Sequence, residues 1–300
     1  AELTLAERAS LLLEPALAEC IAQAKMQRRT RTALLLCTPP QRLPPLPEPF
    51  ASVFGEACAA WGDLPELVTQ RLHDAHGLRV ETTALFDGGH AAGIEALGRA
   101  AELLASGEVD QCLLGGIDSA GARGILERLD LLGESKSARV PTGLIPGEAA
   151  AFLSLVRANE GPREQPFVQV SSAWHTRETS PEPASGDALT EAMAGALAVW
   201  GGDPRAVRLL LADLNGDRGR ARESAFATLR TLFRAGALPE IAHPADRLGD
   251  VGASSAPLLL GLAARRLESL ASGSAALVTC ASSSPLRAAA VLEIRPSAGD

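Results

Sequence analysis

One pattern occurs twice in this chain, and it limits the folds open to it. "HAAGIEALGRAAELLASGEVDQCLLGG" (residues 90–116) matches "DVGASSAPLLLGLAARRLESLASGSAALVTCA" (residues 250–281) feature by feature. Each begins at a polar, Gly-bearing turn and runs into a helix of Ala, Gly, Ser and Leu. Each helix stops at Leu-Ala-Ser-Gly and gives way to an apolar strand. A helix apolar on nearly every side belongs inside a molecule. Small side chains let a second backbone approach it closely. Two such units therefore bury their helices against each other, which predicts an α/β molecule of two pseudo-symmetric halves. The expected layering is αβαβα: two mixed sheets around a central pair of helices.

The remaining elements fit two halves, 1–160 and 161–300, joined at the polar "RANEGPREQP" (residues 157–166). In the first half we expect a helix over 5–26, the strand "TALLLC", a Pro-rich loop at "QRLPPLPEP", and helices at "FASVFGEACAAW" and "LPELVTQRLHDAHG". The strand "LRVETTALF", the central helix 91–106, the strand "VDQCLLGGID", the helix "GILERLDLLG" and the strand "AAAFLSLVR" follow. Gly77 is positioned to close its helix. The second half repeats the plan with "PFVQVSSAW", a helix over "SGDALTEAMAGALAVWGG" capped by Ser185 or Asp187, "AVRLLLADL", and a helix over "ARESAFATLRTLFRAG". The second central helix, 253–270, and the strands "AALVTCA" and "RAAAVLEI" complete it.

Hydrophobic residues make up 46% of the 300 positions but aromatics only 3%, so the core depends on small-residue packing. The net charge of −8 argues against nucleic-acid binding, which needs a basic face. The basic run "KMQRRTRT" reads as a solvated approach to a strand. Five scattered cysteines without a CxxC predict neither a disulfide framework nor a zinc site and fit a reducing cytoplasm. The opening segment has no basic n-region followed by an unbroken apolar core, so it is not read as a signal peptide. No apolar run is long enough for a membrane span. The absence of HExxH, CxxC and GxGxxG leaves no metal or dinucleotide cofactor to expect.

Four segments carry a resemblance: "DGGHAAGIEALGRAAELLASGEVDQCLLGGIDS", "PTGLIPGEAAAFLSL", "ADLNGD" and "RLGDVGASSAPLLLGLAA". The chain resembles the β-ketoacyl-[acyl-carrier-protein] synthases of the thiolase-like superfamily. Its last two segments are similar to a branch whose genes neighbour type VI secretion effector genes. The resemblance implies three catalytic positions: a Cys at the buried helix N-terminus, and two His residues on loops of the second half. A helix N-terminus favours thiolate and binds an oxyanion. Here the motif alignment puts His90 at the Cys position, Asn215 at the first His position and Asp250 at the second. The loop "CASSSPLR" stands in the place of the family's Gly- and Phe-bearing gatekeeper. The resemblance brings Cys280, at the start of that loop, toward the site as an alternative nucleophile; a buried thiol is the competing reading. Glu148 is expected as a turn acid bonding backbone N–H groups.

Three roles stay open for His90: a satisfied polar cluster, a ligand pocket, or catalysis with imidazole as nucleophile or base. The resemblance accordingly implies a catalytically degenerate ketosynthase-like protein, acting as a scaffold or accessory. The alternatives are a surviving acyltransferase or a chain-length-factor-like partner of an active ketosynthase. Implied partners are a second copy paired through "RVETTALF", and a secreted effector, an acyl carrier protein or an active ketosynthase. The three substituted residues are expected to converge between the halves.

Overall fold

The computed structural model describes residues 3, 5–26, 30–40, 63–121, 123–158, 166–179 and 185–296. The Pro-rich loop, the helix expected at 50–61, Cys58 and most of the expected boundary at 157–166 lie outside them. In chain order the elements are α1 (Leu5–Ala24), β1 (Thr32–Cys37), α2 (Leu64–His76), β2 (Val80–Phe86), α3 (Ala92–Ser106) and β3 (Gln111–Ser119). Then come α4 (Arg123–Leu131), β4 (Glu148–Val156), β5 (Phe167–Arg177), α5 (Asp187–Trp200) and β6 (Val207–Ala212). The last are α6 (Arg218–Thr228), β7 (Glu240–Ala242), α7 (Ala245–Leu248), α8 (Ser255–Leu267), β8 (Ala275–Ala281) and β9 (Leu286–Arg295).

The strands form two sheets, ordered β2-β1-β3-β4 and β5-β9-β8-β6-β7. In the first, β1 is parallel to β2 and β3, and β4 is antiparallel to β3. The second repeats this with β6, β7, β8 and β9 in the roles of β1, β2, β3 and β4, and adds β5 antiparallel along β9. Helices α3 and α8 touch both sheets, α1 and α2 pack on the first, and α5 packs on the second. This is the expected αβαβα sandwich.

Side-chain alternation assigns the layers. All six residues of β1 are buried, as an apolar strand covered on both faces should be. Leu34 and Leu36 join Leu13, Leu17, Val68 and Leu72 on the outer side. Ala33 and Leu35 join Ile94, Leu97, Leu259 and Val278 in the central core. Close approach at the centre depends on missing side chains. A Cβ on Gly93 would stand 2.8 Å from both Ala256 Cβ and Pro257 Cδ, and one on Gly116 would run into the Ala253 carbonyl oxygen.

Several local expectations are adjusted. Gly77 closes α2 in the left-handed region at φ 65°, as expected. At α5 the N-cap is Gly186, not Ser185 or Asp187. Ser185 instead accepts a long hydrogen bond from the Asp187 N–H at 3.3 Å. Each central helix starts after a short 3-10 turn, Gly89–Ala91 or Gly252–Ser254; His90 lies within the first and Asp250 two residues before the second. The helix over "ARESAFATLRTLFRAG" ends in a π-helical turn, Leu229–Phe233. Strand β7 and the single-turn α7 were not read from the sequence.

Candidate functional site

His90 is the middle residue of the turn that enters α3, and only 7% of it is exposed. Two glycines make this turn. Gly89 has φ +74°, and a Cβ on Gly88 would meet Leu286 Cδ2 at 2.7 Å. The Gly89 N–H is anchored to the Thr38 carbonyl at 3.2 Å, at the end of β1. The next donor of the turn, the Ala91 N–H, is taken by Ser282 Oγ at 2.9 Å.

Asp250 occupies the equivalent approach to α8. Its backbone is gripped by the segment before β4: its N–H donates to the Ile145 carbonyl at 2.7 Å, and its carbonyl accepts from the Gly147 N–H at 2.9 Å. Its carboxylate accepts three hydrogen bonds. Oδ1 accepts from His90 Nε2 at 2.6 Å and from the Gly252 N–H at 2.9 Å, while Oδ2 accepts from Asn215 Nδ2 at 2.6 Å. Asn215 follows β6, and its own Oδ1 accepts from the Asp217 N–H at 3.2 Å. The three sequence-chosen residues thus meet around one carboxylate where the two halves join.

The electrostatics fix the proton. Burial pushes the Asp250 carboxyl up, but the His90 charge and hydrogen bond, the Arg220 charge and the Gly252 N–H outweigh it. Asp250 is therefore held well below the usual carboxylate range. With Asp250 ionised, the proton of the pair is on His90 Nε2. Among the described residues no hydrogen bond joins this imidazole to a Ser, Thr or Cys that it would deprotonate.

Sequence reasoning missed two groups around the cluster. Asp118, in "GGIDS", points at the entry of α8 and accepts from the Ala253 N–H at 2.8 Å. It fills the space that a side chain on Gly252 would need. Burial lifts its carboxyl to about 7, against the pull of the Ala253 N–H and His90. Asp213 accepts from Arg220 Nη1 at 3.1 Å and from the Ala281 N–H at 2.9 Å, so a second buried ion pair backs the first. The signal in the sequence was the charge flanking each motif, in "GGIDS" and "LADLNGDRGRARE".

Asp118 gives a measurable pH dependence. Its folded value lies above the unfolded one of about 3.9, so the stability it contributes is full below about pH 4 and is lost as pH rises toward about 7. Asp118→Asn keeps an acceptor for Ala253. It is expected to flatten that slope and raise stability at pH 8 by on the order of 2 kcal/mol. Urea unfolding across pH 4–8 measures it; an unchanged slope would contradict the assignment.

Other candidates fall away from chemistry. Cys280 is wholly buried in β8, and burial together with Asp213 raises its thiol well above the ordinary value, so it stays protonated at neutral pH. Glu148 is not a turn acid on backbone donors: it starts β4, and its Oε2 accepts from Arg8 Nη1 at 3.0 Å and Ser119 Oγ at 2.8 Å. Among the described residues no group of three or more His, Cys, Asp or Glu is placed to hold a metal ion. The cavity beside the cluster, lined by Asp213, Asn215, Leu248, Asp250 and Leu259, measures about 10 Å³, room for a single water.

No protein-family model matches the sequence, and no curated protein sequence matches it either. Solved structures do resemble it. The ishigamide ketosynthase/chain length factor is 20% identical with a TM-score of 0.66, over 90% of this chain and 75% of that one. A type II polyketide ketosynthase, solved with its acyl-carrier protein, is 13% identical with a TM-score of 0.77, over 95% and 84%. The β-ketoacyl-[acyl-carrier-protein] synthase III of Thermus thermophilus is 18% identical with a TM-score of 0.65, over 97% and 85%. The fold is that of the thiolase-like ketosynthases. Among the described residues no helix is long and apolar enough to cross a membrane.

Proposed function

We propose that this ketosynthase-like protein has no condensing activity and works in the cytoplasm through protein partners. The observation carrying the reading is the buried Asp250 carboxylate, bonded to His90, Gly252 and Asn215 at once. In the family it resembles, a nucleophilic Cys and two His donors stand where this chain's motif alignment has His90, Asn215 and Asp250. Condensation builds negative charge on an enolate and needs preorganised donors aimed at it. A fixed carboxylate there repels that charge and the malonyl carboxylate that precedes it. The Ala91 N–H at the helix entrance already serves Ser282, so one donor of the turn is spent inside the protein.

The role is then one of binding: a scaffold or accessory, including for a secreted effector. A chain-length-factor-like role beside an active ketosynthase is a second reading, favoured by the likeness to the ishigamide ketosynthase/chain length factor. Both readings use the outer edge of β2 as the dimer seam, since an exposed strand edge is hazardous unless paired. Incubation with malonyl- and acyl-pantetheine substrates, read by intact mass and by acetyl product, is expected to give neither adduct nor decarboxylation. His90→Cys is expected to remain inactive, because both donor positions are still substituted. An acyl-enzyme or malonyl decarboxylation by the unmodified protein would refute the proposal. Pull-down against an active ketosynthase and against effectors separates the two binding roles.

A further inference from the structure

The two halves are unequal at one place. In the second sheet β5 lies antiparallel along the outer edge of β9, and β9 is buried from Leu286 to Ile294. In the first sheet β4 takes the role of β9, and among the described residues no strand pairs with its outer edge. Only Phe152 of β4 is buried; the residues around it are half-buried, and Glu148 and Val156 are exposed. The helices around the position are nevertheless in place. α5 covers both β5 and β9, and α1 covers β4 in the same way. α3 touches β5 from the centre, and α8 touches β4. The backbone of the edge is also set. The Ala120 N–H donates to the Gly147 carbonyl at 3.0 Å, one step beyond the Ser119–Glu148 pair of the ladder. Antiparallel alternation then turns the N–H and C=O groups of Ala149, Ala151, Leu153 and Leu155 toward β3, and those of Ala150, Phe152 and Ser154 toward the open side.

We infer that this edge is a docking site for an extended segment of a partner protein, added antiparallel to β4 in the place that β5 takes beside β9. The site rests on the reading that the protein works through partners, and it does not depend on the absence of condensation. β5 shows what such an occupant does. Its Val168, Val170 and Ala173 pack on the central core, and its Trp174 lies over Gly195 of α5, where a Cβ would meet the ring at 2.6 Å. Beside β4 the matching cover is missing. Leu153 and Leu155 reach the central core but stay half-buried. On α8, Gly261 faces Leu153, and Leu262 next to it is exposed. On α1, Glu14 pairs with Arg71 of α2 on one flank, and Leu12, two residues earlier, lies half-buried on the opposite flank. An added strand supplies main-chain bonds to Ala150, Phe152 and Ser154, and apolar side chains at alternate positions to Leu153, Leu155 and Leu262. A second copy is the poorer occupant. Its β4 arrives with α1 and α8 attached, and pairing β4 with β4 about Phe152 sets the Glu148 carboxylate against Val156 at both ends. A free extended segment brings neither obstacle.

The test uses the whole chain and a synthetic peptide with the sequence of β5, residues 167–177. Hydrogen exchange of the unmodified protein alone is expected to show the Ala150, Phe152 and Ser154 amides exchanging at least about tenfold faster than those of Ala151, Leu153 and Leu155. Adding the peptide is expected to slow the first set and leave the second unchanged. Ser154→Pro removes an outward N–H and spares the β3 ladder, as an edge strand allows, and is expected to weaken peptide binding about tenfold. Methylating one alternate set of the peptide's amides is expected to abolish binding and methylating the other set to leave it, because only one set faces β4. Equally slow exchange of both sets in the protein alone would show the edge already covered, by a second copy or by another part of this chain, and overturns the proposal. A peptide that protects none of the three amides overturns it, as does binding indifferent to Ser154→Pro and to both methylations. The malonyl assay is read separately. Decarboxylation together with peptide binding refutes the inactive reading and leaves this site standing; an inert protein that binds no peptide does the reverse.

Discussion

Asp250→Ala is expected to destabilise the protein by about 3–5 kcal/mol, the range for breaking a buried charged pair from one side. Three donors lose their acceptor together: His90 Nε2, the Gly252 N–H and Asn215 Nδ2. His90 and Asp250 expose only 9% and 11% of their side chains, so water replaces the lost bonds poorly. Asp250→Asn should fall between, because its single carbonyl oxygen cannot satisfy donors on both sides. The pH dependence separates charge from shape. The folded value of Asp250 is depressed, so its contribution is present above the unfolded value of about 3.9 and disappears as pH falls through the folded one. The unmodified protein should therefore lose stability below about pH 4 through this group, and Asp250→Ala should lose less over the same interval. Urea unfolding at pH 3–7 reads both quantities. A change under 1 kcal/mol at pH 7 would show that the cluster does not tie the halves together.

The legible part of this molecule is what repeats. Burial of both central helices was readable because their Ala, Gly and Ser content has a geometric use, seen where Gly93 meets Ala256 and Pro257. The meeting of His90, Asn215 and Asp250 was readable from their matching places at turns entering helices or ending a strand. Distant pairs that the repeat does not mark were not legible. Asp118 reaches the Ala253 N–H across 135 positions, and no local pattern announces that a carboxylate in an apolar strand caps a helix of the other half. Glu148 was misread for the same reason, since its partner Arg8 lies 140 positions away. The edge position of β5 also escaped. A strand that returns antiparallel to β9 leaves the same apolar signature as one inserted at the sheet centre.

The second large effect concerns the loop over His90. Arg287 forms a buried ion pair with Glu223, and its Nη1 donates to the carbonyls of Ser282, Ser284 and Leu286 at 2.8–3.0 Å. That loop reaches the His90 turn twice: Ser282 Oγ accepts from the Ala91 N–H, and Ser284 Oγ donates to the Gly88 carbonyl at 3.3 Å. One guanidinium thus holds the β8–β9 connection against the entrance of α3. Arg287→Met is expected to cost about 3–5 kcal/mol, because Glu223 is left buried and unpaired while the Ser282 and Ser284 carbonyls lose this donor and the Leu286 carbonyl keeps only the Ser282 N–H. Glu223→Gln combined with Arg287→Met should cost less than the sum of the two singles, with a coupling of about 1–3 kcal/mol. Arg287→Lys keeps the charge but not the planar fork, so it should recover only part of the loss. Hydrogen exchange supplies a readout that a general loss of packing would not give. The amides of Ser282, Ser283, Ser284, Leu286 and Ala91 should exchange faster in Arg287→Met than those of β8, which remains hydrogen-bonded between β6 and β9. Uniform acceleration across β8 and the loop would show that Arg287 serves the core as a whole. Exchange confined to the loop would show that the clamp is local and that His90 is shielded by one removable contact.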